Sequence, residues 1–420
     1  MKETKETNVN SNPNVYIKNS ERWMTKKIRD LVIKTSQKNP QKSPDSNFKY
    51  VDISSISREM LKIIRVTEYK GKYAPSRARK QIKHNDILFS TVRPYLKQVA
   101  MVPEELDGQI CSTGFCLIRC NPDFADPNFI FQYITTDSFI QNVSILQTGS
   151  NYPAVTDKDI FDQSILCPPL LEQQKIAKVL STVDESIEKT GEIIAQVEIL
   201  KQGLMQAFFV KQAEKKKWRN VKLGDYTDLL TGYPFKSELF SESPLGIKLV
   251  RGDNITNGRL RWGEKTRYWR EMTPDLNKYL LKDKDILIPM DGSLVGKNFS
   301  NVVENDLPLL LVQRVARLRT KDDLLPEFLY FSIANSRFSA HVDCVKTVAA
   351  IPHISAKDIK EYRIPLPPPP KQQKIAEILS SVDEKLESER KHLEQLKILK
   401  KGMMQDLLAG RVRVEVSCNA

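Results

Sequence analysis

The sequence lacks the features that mark several large classes of protein. It has six cysteines and four histidines, and no two cysteines stand in the Cys-x-x-Cys spacing of a structural zinc site. No apolar run approaches the length of a membrane span, and the first 20 residues are polar, without the apolar core of a signal peptide. No glycine-rich nucleotide fingerprint follows a strand-like run. We therefore expect no membrane span, no metal or cofactor on this chain, reduced thiols and a cytoplasmic location.

The chain has a strong excess of positive charge. Its 65 Lys and Arg residues against 52 Asp and Glu give a formal charge of +13 and a pI of about 9.2. Such a balance favours a polyanionic partner, and nucleic acid is the commonest one. A chain of 420 residues with 40% hydrophobic content exceeds one core and predicts two domains.

One stretch of the chain occurs twice. QQKIAKVLSTVDE from Gln173 returns as QQKIAEILSSVDE from Gln372, 199 residues later, and the likeness continues without a gap to Phe209 and Leu408. The landmarks DILFST and DILIPM, and PNFIFQY and PEFLYF, repeat at a similar distance. The chain is therefore predicted to be an internal duplication of a domain with its following helix.

Each copy of the repeat has the period of a long helix. Apolar residues recur in alternating steps of four and three, as in a coiled-coil seam, and each helix would be about 55 Å long. The predicted seam residues are Ile176, Leu180, Val183, Ile187, Ile194, Val197, Leu204, Ile375, Leu379, Val382, Leu386, Leu393, Leu396 and Met403. We expect the two helices to pair, although each could lie on its own domain instead. The recurring Gly203 and Gly402 suggest close approach of another helix, or an inherited accident.

These signals divide the chain into seven segments. The predicted boundaries are a disordered leader 1–20, a first domain 21–166, a first long helix 167–210, a linker 211–217, a second domain 218–364, a second long helix 365–409 and a tail 410–420. Within the first domain, strands are predicted at 50–56, 86–92 and 115–120, and one helical stretch follows Pro127.

Each predicted domain carries a cluster of basic residues interleaved with aromatics. Such residues neutralise phosphates, and Arg and Asn also read base edges. The candidate DNA-binding residues of the first cluster are Arg58, Lys62, Arg65, Lys70, Lys72, Tyr73, Arg77, Arg79, Lys80 and Lys83. Those of the second are Arg251, Asn254, Arg259, Arg261, Trp262, Lys265, Arg267 and Arg270. A solvated basic face over core aromatics is the alternative for either cluster alone.

Two stretches of the sequence match known catalytic motifs only in part. Gly292 to Asn298 resembles a phosphate-binding loop but is one residue short and lacks the Ser or Thr that holds magnesium. Asp45, Glu68 and Lys70 fit a loose nuclease spacing that has no counterpart in the second half. We therefore predict no catalytic, cofactor-binding or metal-binding residues in this chain.

The whole arrangement resembles the specificity subunit of type I restriction-modification systems. The resemblance rests on PPLLEQQKIAKVLSTVDE and PLPPPPKQQKIAEILSSVDEK at the helix starts, and on DILFSTVRP, DKDILIPMDGSLVGKN, NYPAVTDKDI and AIPHISAKDI in the domains. Arg93, Asn151, Tyr152 and Lys297 in these segments are further candidate DNA-binding residues, and so is Arg314. Lys371 departs from the pattern, since the family usually has Glu there, as at Glu172; the change would weaken a contact with the helix dipole.

The resemblance implies an α+β fold with two tandem mixed α/β target-recognition domains, joined and separated by two long antiparallel coiled-coil helices with pseudo-twofold symmetry. Each domain would read one half of an asymmetric bipartite site in double-stranded DNA, and the helices would set the gap. Two modification subunits, which methylate adenine with S-adenosylmethionine, and two restriction subunits using ATP and magnesium would be its partners. The chain itself would not be an enzyme.

Two alternatives stay open at this point. One is a stand-alone DNA nuclease or methyltransferase with fused specificity domains, which requires a metal or cofactor site. The other is a purely structural coiled-coil protein whose positive charge is incidental. Steep salt dependence of DNA binding separates a sequence reader from the structural protein.

Overall fold

The computed structural model describes residues 23–211, 218–321 and 323–415. The predicted leader 1–20 lies outside the described residues, as do most of the predicted linker and the end of the predicted tail. Contacts group the chain into two units. The first contains the described residues up to Lys189 together with those from Leu393 onward, and the second runs from Thr190 to His392. Both long helices therefore contribute residues to both units.

The first unit is built from short strands, three short helices and parts of the two long helices. Its strands are Met24–Lys27, Asn47–Val51, Ile56–Ser57, Lys62–Ile63, Thr67–Lys70, Ala78–Gln81, Ile87–Ser90, Val99–Met101, Ile110–Ser112, Phe115–Ile118 and Ser164–Cys167. Its short helices are Pro127–Ile134, Asp137–Ile145 and Asp157–Phe161. The central strand Ile87–Ser90 pairs antiparallel with Phe115–Ile118 on one side and Val99–Met101 on the other.

The second unit has the same kind of build. Its strands are Arg219–Lys222, Thr227–Thr231, Ile247–Val250, Ile255–Thr256, Arg259–Leu260, Tyr268–Trp269, Ile286–Pro289, Ser300–Asn301, Leu309–Leu311, Val315–Thr320 and Arg363–Leu366. Its short helices are Pro326–Ile333, Ser336–Val345 and Ala356–Glu361. Strand Ile286–Pro289 pairs antiparallel with Val315–Thr320 and Ser300–Asn301.

The long helices are Leu170–Met205, which continues as a π-helix through Gln206–Lys211, and Pro369–Leu407. The predicted helix segments began too early, because strands Ser164–Cys167 and Arg363–Leu366 precede the prolines that open the helices. The α+β class, with two mixed domains and long helices, is confirmed. A coiled coil over the whole helix length and exact pseudo-twofold symmetry stay predictions.

The predicted helical stretch after Pro127 is helical and consists of two helices. Two helices, Pro127–Ile134 and Asp137–Ile145, meet at Thr135–Thr136. The Thr136 side chain accepts a hydrogen bond from the backbone N–H of Phe139, which caps the second helix. Apolar residues flank this break on both sides, so the periodic pattern concealed it.

The buried aspartate of the repeated Asp-Ile-Leu motif forms an ion pair in each unit. Asp86 and Asp285 are each 1% exposed. Each carboxylate accepts two hydrogen bonds from one guanidinium, that of Arg119 at 2.6 and 2.7 Å and that of Arg319 at 2.7 Å. Because an unpaired buried charge is costly, these pairs fix the register of the central strands.

Each long helix begins with a buried glutamine that ties it to its domain. Gln372 donates to the carbonyls of Asp323 at 2.7 Å and Pro367 at 2.8 Å and accepts from the N–H of Leu325 at 2.9 Å. Gln173 makes the corresponding three bonds in the first unit. The repeated Gln thus anchors the helix to the loop that precedes a short helix.

Replacing Gln372 by leucine should therefore lower the free energy of unfolding of the second unit. The change removes one buried and two part-buried hydrogen bonds, at a cost of about 1–3 kcal/mol. Gln373→Leu is the matched control, since Gln373 is exposed and bonds only Glu377 in the same helix. Denaturant unfolding measures both variants, and equal losses would contradict the anchoring role.

The predicted seam residues are all buried or half-buried. Ile176 and Leu180 belong to the core of the first unit with Leu407, and Ile375 and Leu379 to that of the second with Phe209. The ends of the helices therefore pack against a domain core as well as against helix residues. Each long helix follows a strand of its own domain after only a short turn that contains prolines. The start of the helix therefore stays close to the core of that domain.

Lys201 and Lys400, which interrupt the seam at matched positions, each pair with an aspartate of the other long helix. Lys400 pairs with Asp184 at 2.6 Å in the first unit, and Lys201 pairs with Asp383 at 2.5 Å in the second. Glu198 and Arg390 form a further pair at 2.6 Å in the second unit. Within each unit, later residues of one helix meet earlier residues of the other, so the two segments run antiparallel.

The two helix starts differ at the position that sequence comparison singled out. Glu172 is buried, accepts a hydrogen bond from the indole of Trp23 at 2.9 Å, and pairs through both oxygens with Arg413 at 2.6 and 2.7 Å. Hydrogen bonding to Glu172 raises the pKa of Arg413. Lys371 instead lies exposed, 5.7 Å from the centre of the Trp218 ring. The substitution therefore changes a specific contact rather than only the helix dipole.

One stretch is more apolar than the sequence analysis expected. The helix through Leu170–Lys211 is long and apolar enough to cross a membrane by length and composition, so the expectation that no run approaches a span was wrong by this measure. Its last residues, Leu204 to Phe209, pack with the core of the second unit. Other apolar side chains on it are exposed, including Ile199 and Leu200.

Candidate nucleic-acid interface

The first basic cluster lies on strands and turns at the surface of the first unit. Its exposed members are Arg58, Lys62, Arg65, Lys70, Lys72, Tyr73, Arg77 and Lys83. Several of these side chains have partners: Lys62 pairs with Glu188 of the first long helix at 2.5 Å, Arg65 donates to Ser54 at 2.7 Å, and the Lys72 ammonium lies 4.9 Å from the centre of the Tyr73 ring. The remaining cations of this set are exposed at the surface of the unit.

Two members of this cluster bind within the unit instead. Lys80 donates to the backbone carbonyl of Phe115 and to the carboxylate of Asp157, both at 2.6 Å. Arg79 donates to the carbonyl of Ala78 at 2.8 Å and is half-buried. Lys80 thus ties the strand Ala78–Gln81 to the strand Phe115–Ile118 and to the helix Asp157–Phe161. Sequence alone did not separate Arg79 and Lys80 from their exposed neighbours.

The second basic cluster divides in the same way. Arg259, Arg261, Lys265 and Arg270 are exposed. Asn254 is buried; it accepts from the N–H of Arg251 at 3.1 Å and donates to the carbonyl of Arg261 at 3.3 Å. Its side chain is therefore occupied in holding the turn.

Three further members of the second cluster are half-buried and have partners. The indole N–H of Trp262 donates to Asp306 at 2.9 Å, and Arg267 pairs with Glu242 at 2.9 Å. Arg251 donates to the carbonyl of Lys265 at 3.3 Å. These contacts brace the base of the cluster and leave the four exposed arginine and lysine side chains as its outer surface.

The candidates from the family segments lie on loops in both units. In the first unit, Arg93 has a left-handed backbone (φ 49°), and its guanidinium lies 5.7 Å from the centre of the Tyr152 ring and 3.4 Å from the carbonyl oxygen of Asn151. Tyr152 is 76% exposed. A cation stacked on an exposed ring presents flat donors and an apolar face together, which suits nucleic-acid bases.

In the second unit, Arg314 also has a left-handed backbone (φ 66°) and pairs with Asp291. The imidazole Nδ1 of His353 contacts the other oxygen of the same carboxylate. Partial burial raises the pKa of Asp291, but hydrogen bonds from His353 and Arg314 outweigh it, so that pKa lies below its usual value. Lys297 is exposed on the adjoining loop.

Asp291 and His353 were missed by the sequence analysis. The signal was present in the alignment of the two halves, because Asp291 and His353 stand 199 residues after Val92 and Ala154, where the first half has apolar residues. The backbones of Val92 and Ala154, and of Asp291 and His353, form equivalent bridges. Polar residues that replace apolar ones at matched positions are therefore candidates for a difference in function.

The cysteines and acidic residues do not form a metal site within the described residues. In the part of the chain that the structure describes, no group of three or more His, Cys, Asp or Glu side chains could hold a metal ion. Burial raises the pKa of the Cys111 thiol to about 12 and that of Cys116 well above its ordinary value. These thiols therefore stay protonated and serve as small core side chains.

Comparison with known proteins assigns the chain to a family. A family model described as the type I restriction modification DNA specificity domain matches it twice, over residues 20–199 and 215–397. The specificity subunit of the type I restriction enzyme MjaVIII from Methanocaldococcus jannaschii is 31% identical over 331 residues, covering 73% of this chain and 75% of its own length. The EcoKI specificity subunit of Escherichia coli K12 is 26% identical over 326 residues, covering 73% and 69%.

Solved structures agree in fold. One chain, from a study of complex assembly and conformational transition in a type I restriction-modification system, is 28% identical and superposes with a TM-score of 0.59 over 93% of this chain and 99% of its own. The S subunit from M. genitalium is 16% identical with a TM-score of 0.61 and supports the fold alone. The chain therefore belongs to the family of specificity subunits of type I restriction-modification systems.

Proposed function

We propose that the chain is the non-catalytic DNA-reading subunit of a type I restriction-modification complex, and that each unit reads one half of an asymmetric bipartite site. The observation that supports this proposal most strongly is that the two units share their internal contacts but differ in the side chains on their loops. The pairs Asp86–Arg119 and Asp285–Arg319 are matched, whereas the loops carry Arg93 with Tyr152 in one unit and Arg314 with Asp291 in the other. Equal scaffolds with unequal surfaces suit two different half-sites.

The basic clusters would supply the sequence-independent part of the affinity. Exposed cations such as Arg58, Lys70, Arg259 and Lys265 would neutralise phosphates of both half-sites and release counterions. The net charge of +13 supports this role. Base contacts from a few side chains per unit would then supply specificity.

The two long helices would set the gap between the half-sites as an antiparallel coiled coil with pseudo-twofold symmetry. The matched pairs Asp184–Lys400 and Lys201–Asp383 support this arrangement, because each residue of the first pair has its counterpart 199 positions away in the second. A helix of about 54 Å exceeds one turn of B-DNA, about 34–36 Å, so its length is sufficient for separated half-sites.

The same helices would dock two modification subunits. Ile199 and Ile398 are 69% and 65% exposed, stand at matched positions, and are followed by the exposed Leu200 and Leu399. One such pair belongs to each unit. A repeated apolar surface fits two copies of one partner.

Bare glycines extend both of these surfaces. Gly203 and Gly402 lie one helical turn beyond Ile199 and Ile398, and a methyl group at either would meet no described atom within 4 Å. No other described segment of this chain therefore makes the close helix approach that the recurrence of these glycines suggested. An open glycine beside an exposed isoleucine instead gives a partner helix room to approach.

The remaining parts of the complex would bring the chemistry. S-adenosylmethionine would bind the two modification subunits, and ATP and magnesium the two restriction subunits, in the cytoplasm where the host DNA lies. A stand-alone nuclease or methyltransferase is not favoured, because the relatives are named specificity subunits. A purely structural role would leave the duplicated basic clusters without a purpose.

Methylation profiling of a host genome, with and without this chain, tests the proposal. We expect adenine methylation at one bipartite motif that disappears when the chain is removed, while the modification subunit is still present. An unchanged profile, or methylation at a short continuous motif, would show that this chain is not the bipartite reader.

A further inference from the structure

Two loops cross at one corner of the first unit. The backbone N–H of Arg93, in the loop after a central strand, donates to the carbonyl of Pro153 at 2.8 Å. The N–H of Val155 donates to the carbonyl of Thr91 at 2.9 Å, so the second loop is tied to the first on both sides. We name residues 91–97 and 148–154 the crossing loops of this unit.

The second unit repeats this frame bond for bond. Gly292 donates to Pro352 at 3.0 Å, and Ile354 donates to Met290 at 2.9 Å. Residues 290–298 and 347–353 are therefore its crossing loops. Because the frame is the same, side chains at matched positions of the two units occupy comparable places.

Each frame has one arginine with a left-handed backbone, but on different loops: Arg93 stands in a crossing loop, whereas Arg314 stands in a loop bonded to one. The residue matched to Arg93 is Gly292, which also has a positive φ, 105°. The residue matched to Arg314 is Gly114, since Thr91 donates to Gly114 at 2.9 Å and Met290 to Arg314 at 2.8 Å. Both units therefore have an arginine side chain near the place where the two loops cross, but a different loop supplies it in each unit.

The tips of the crossing loops are exposed and chemically different. Tyr152 stands on the first unit, and its match Ile351 is 66% exposed on the second. Leu294 and Val348 are also exposed on the second unit. Large apolar side chains at a loop tip are suited to stacking on a base or to contacting a thymine methyl group.

The crossing loops lie next to the basic clusters in both units. The amide of Asn298 donates to the carbonyl of Ile255 at 3.0 Å, and the N–H of Gly258 donates to Phe299 at 2.8 Å, which joins the loop to the second cluster. In the first unit, the ion pair of Lys80 joins the first cluster to Asp157, just beyond the loop. A DNA duplex bound to either basic cluster would therefore lie close to the crossing loops of the same unit.

We propose that the crossing loops are the base-reading surface of each unit, that Arg93 and Arg314 each read a guanine in opposite half-sites, and that Asp291 is the positioning residue that aims Arg314. This inference rests on the proposed bipartite function. A guanidinium offers two parallel donors that match the O6 and N7 acceptors of guanine. A carboxylate that accepts from one terminal nitrogen of the guanidinium limits its rotation, and His353 contacts the other oxygen of that carboxylate.

The test uses the complete complex with its modification subunits, after methylation profiling has identified the wild-type motif. For Arg314→Ala we expect discrimination at one G·C pair of one half-site to fall by about 5- to 150-fold, with the other half-site unchanged. Arg93→Ala should give the same loss in the other half-site only. Asp291→Asn should relax the base pair that Arg314→Ala relaxes, and Arg314→Lys should keep affinity while losing discrimination.

Lys265→Ala is the matched control, because it removes an exposed cation without touching the crossing loops. It should weaken binding to all sequences equally. A variant motif identical to the wild type, a change in both half-sites, or a uniform loss for Arg314→Ala would overturn the inference while leaving the bipartite function intact. A wild-type complex with no bipartite motif would instead overturn the proposed function.

Discussion

Replacing Ile199 and Leu200 by aspartate is expected to weaken the binding of one modification subunit by about 100-fold or more. Burying a side chain of this size contributes about 1.5–3 kcal/mol, and each 1.4 kcal/mol is tenfold in affinity. Both side chains are exposed in this chain, so the change costs the folded unit little. The purified complex should then contain one modification subunit per chain instead of two, as measured by its mass in solution.

A matched set of variants tests the repeat of this surface. Ile398→Asp with Leu399→Asp should remove the other subunit, and all four changes together should leave the chain alone. Gln202→Asp adds one negative charge, half the charge of the double change, at a neighbouring exposed position and should retain both subunits. If the variant with all four substitutions still bound two modification subunits, the proposed docking surface would be wrong.

The long helices were the part of the fold that sequence predicted best. A seam of apolar residues repeated over five heptads leaves few other structures possible, and the seam residues are buried or half-buried. Helix boundaries were less exact because the residues before the prolines, Ser164–Cys167 and Arg363–Leu366, are as apolar as a helix start. Only pairing with strands distant in the chain decides their state.

The candidate interface was predicted in outline. Composition and spacing identified the basic clusters, but burial divided their members: Asn254 and Lys80 serve the fold, whereas Arg259 and Lys70 lie at the surface. Charge type alone carries no information on this division. The link between Asp291 and Arg314 joins residues far apart in sequence, so no local pattern could have revealed it.

The anchoring glutamines were visible in sequence without an evident purpose. Gln173 and Gln372 recur in both copies, and the amphipathic pattern gives no reason for a buried amide at that place. The structure supplies the reason, since each amide bonds one carbonyl and one N–H of the loop before a short helix and one carbonyl of the proline turn before its own helix. The repetition of this glutamine in both copies was therefore a better indication of a structural role than its residue type alone.

The dependence of DNA binding on the gap between half-sites tests the central claim, that one chain holds two readers at a fixed spacing. Once profiling has defined the motif, duplexes carry both halves with the natural gap or with one base pair added or removed. Each base pair rotates one half-site by about 34–36° and moves it by about 3.4 Å, so one unit loses its base contacts. Mismatched positions cost about 1–3 kcal/mol each.

Equilibrium binding of the complete complex should thus fall by about 100-fold or more when the gap changes by a single base pair, and should approach the affinity of a duplex with one half-site only. That result would support two readers fixed by the helices. Equal affinity for natural, longer and shorter gaps would contradict the account.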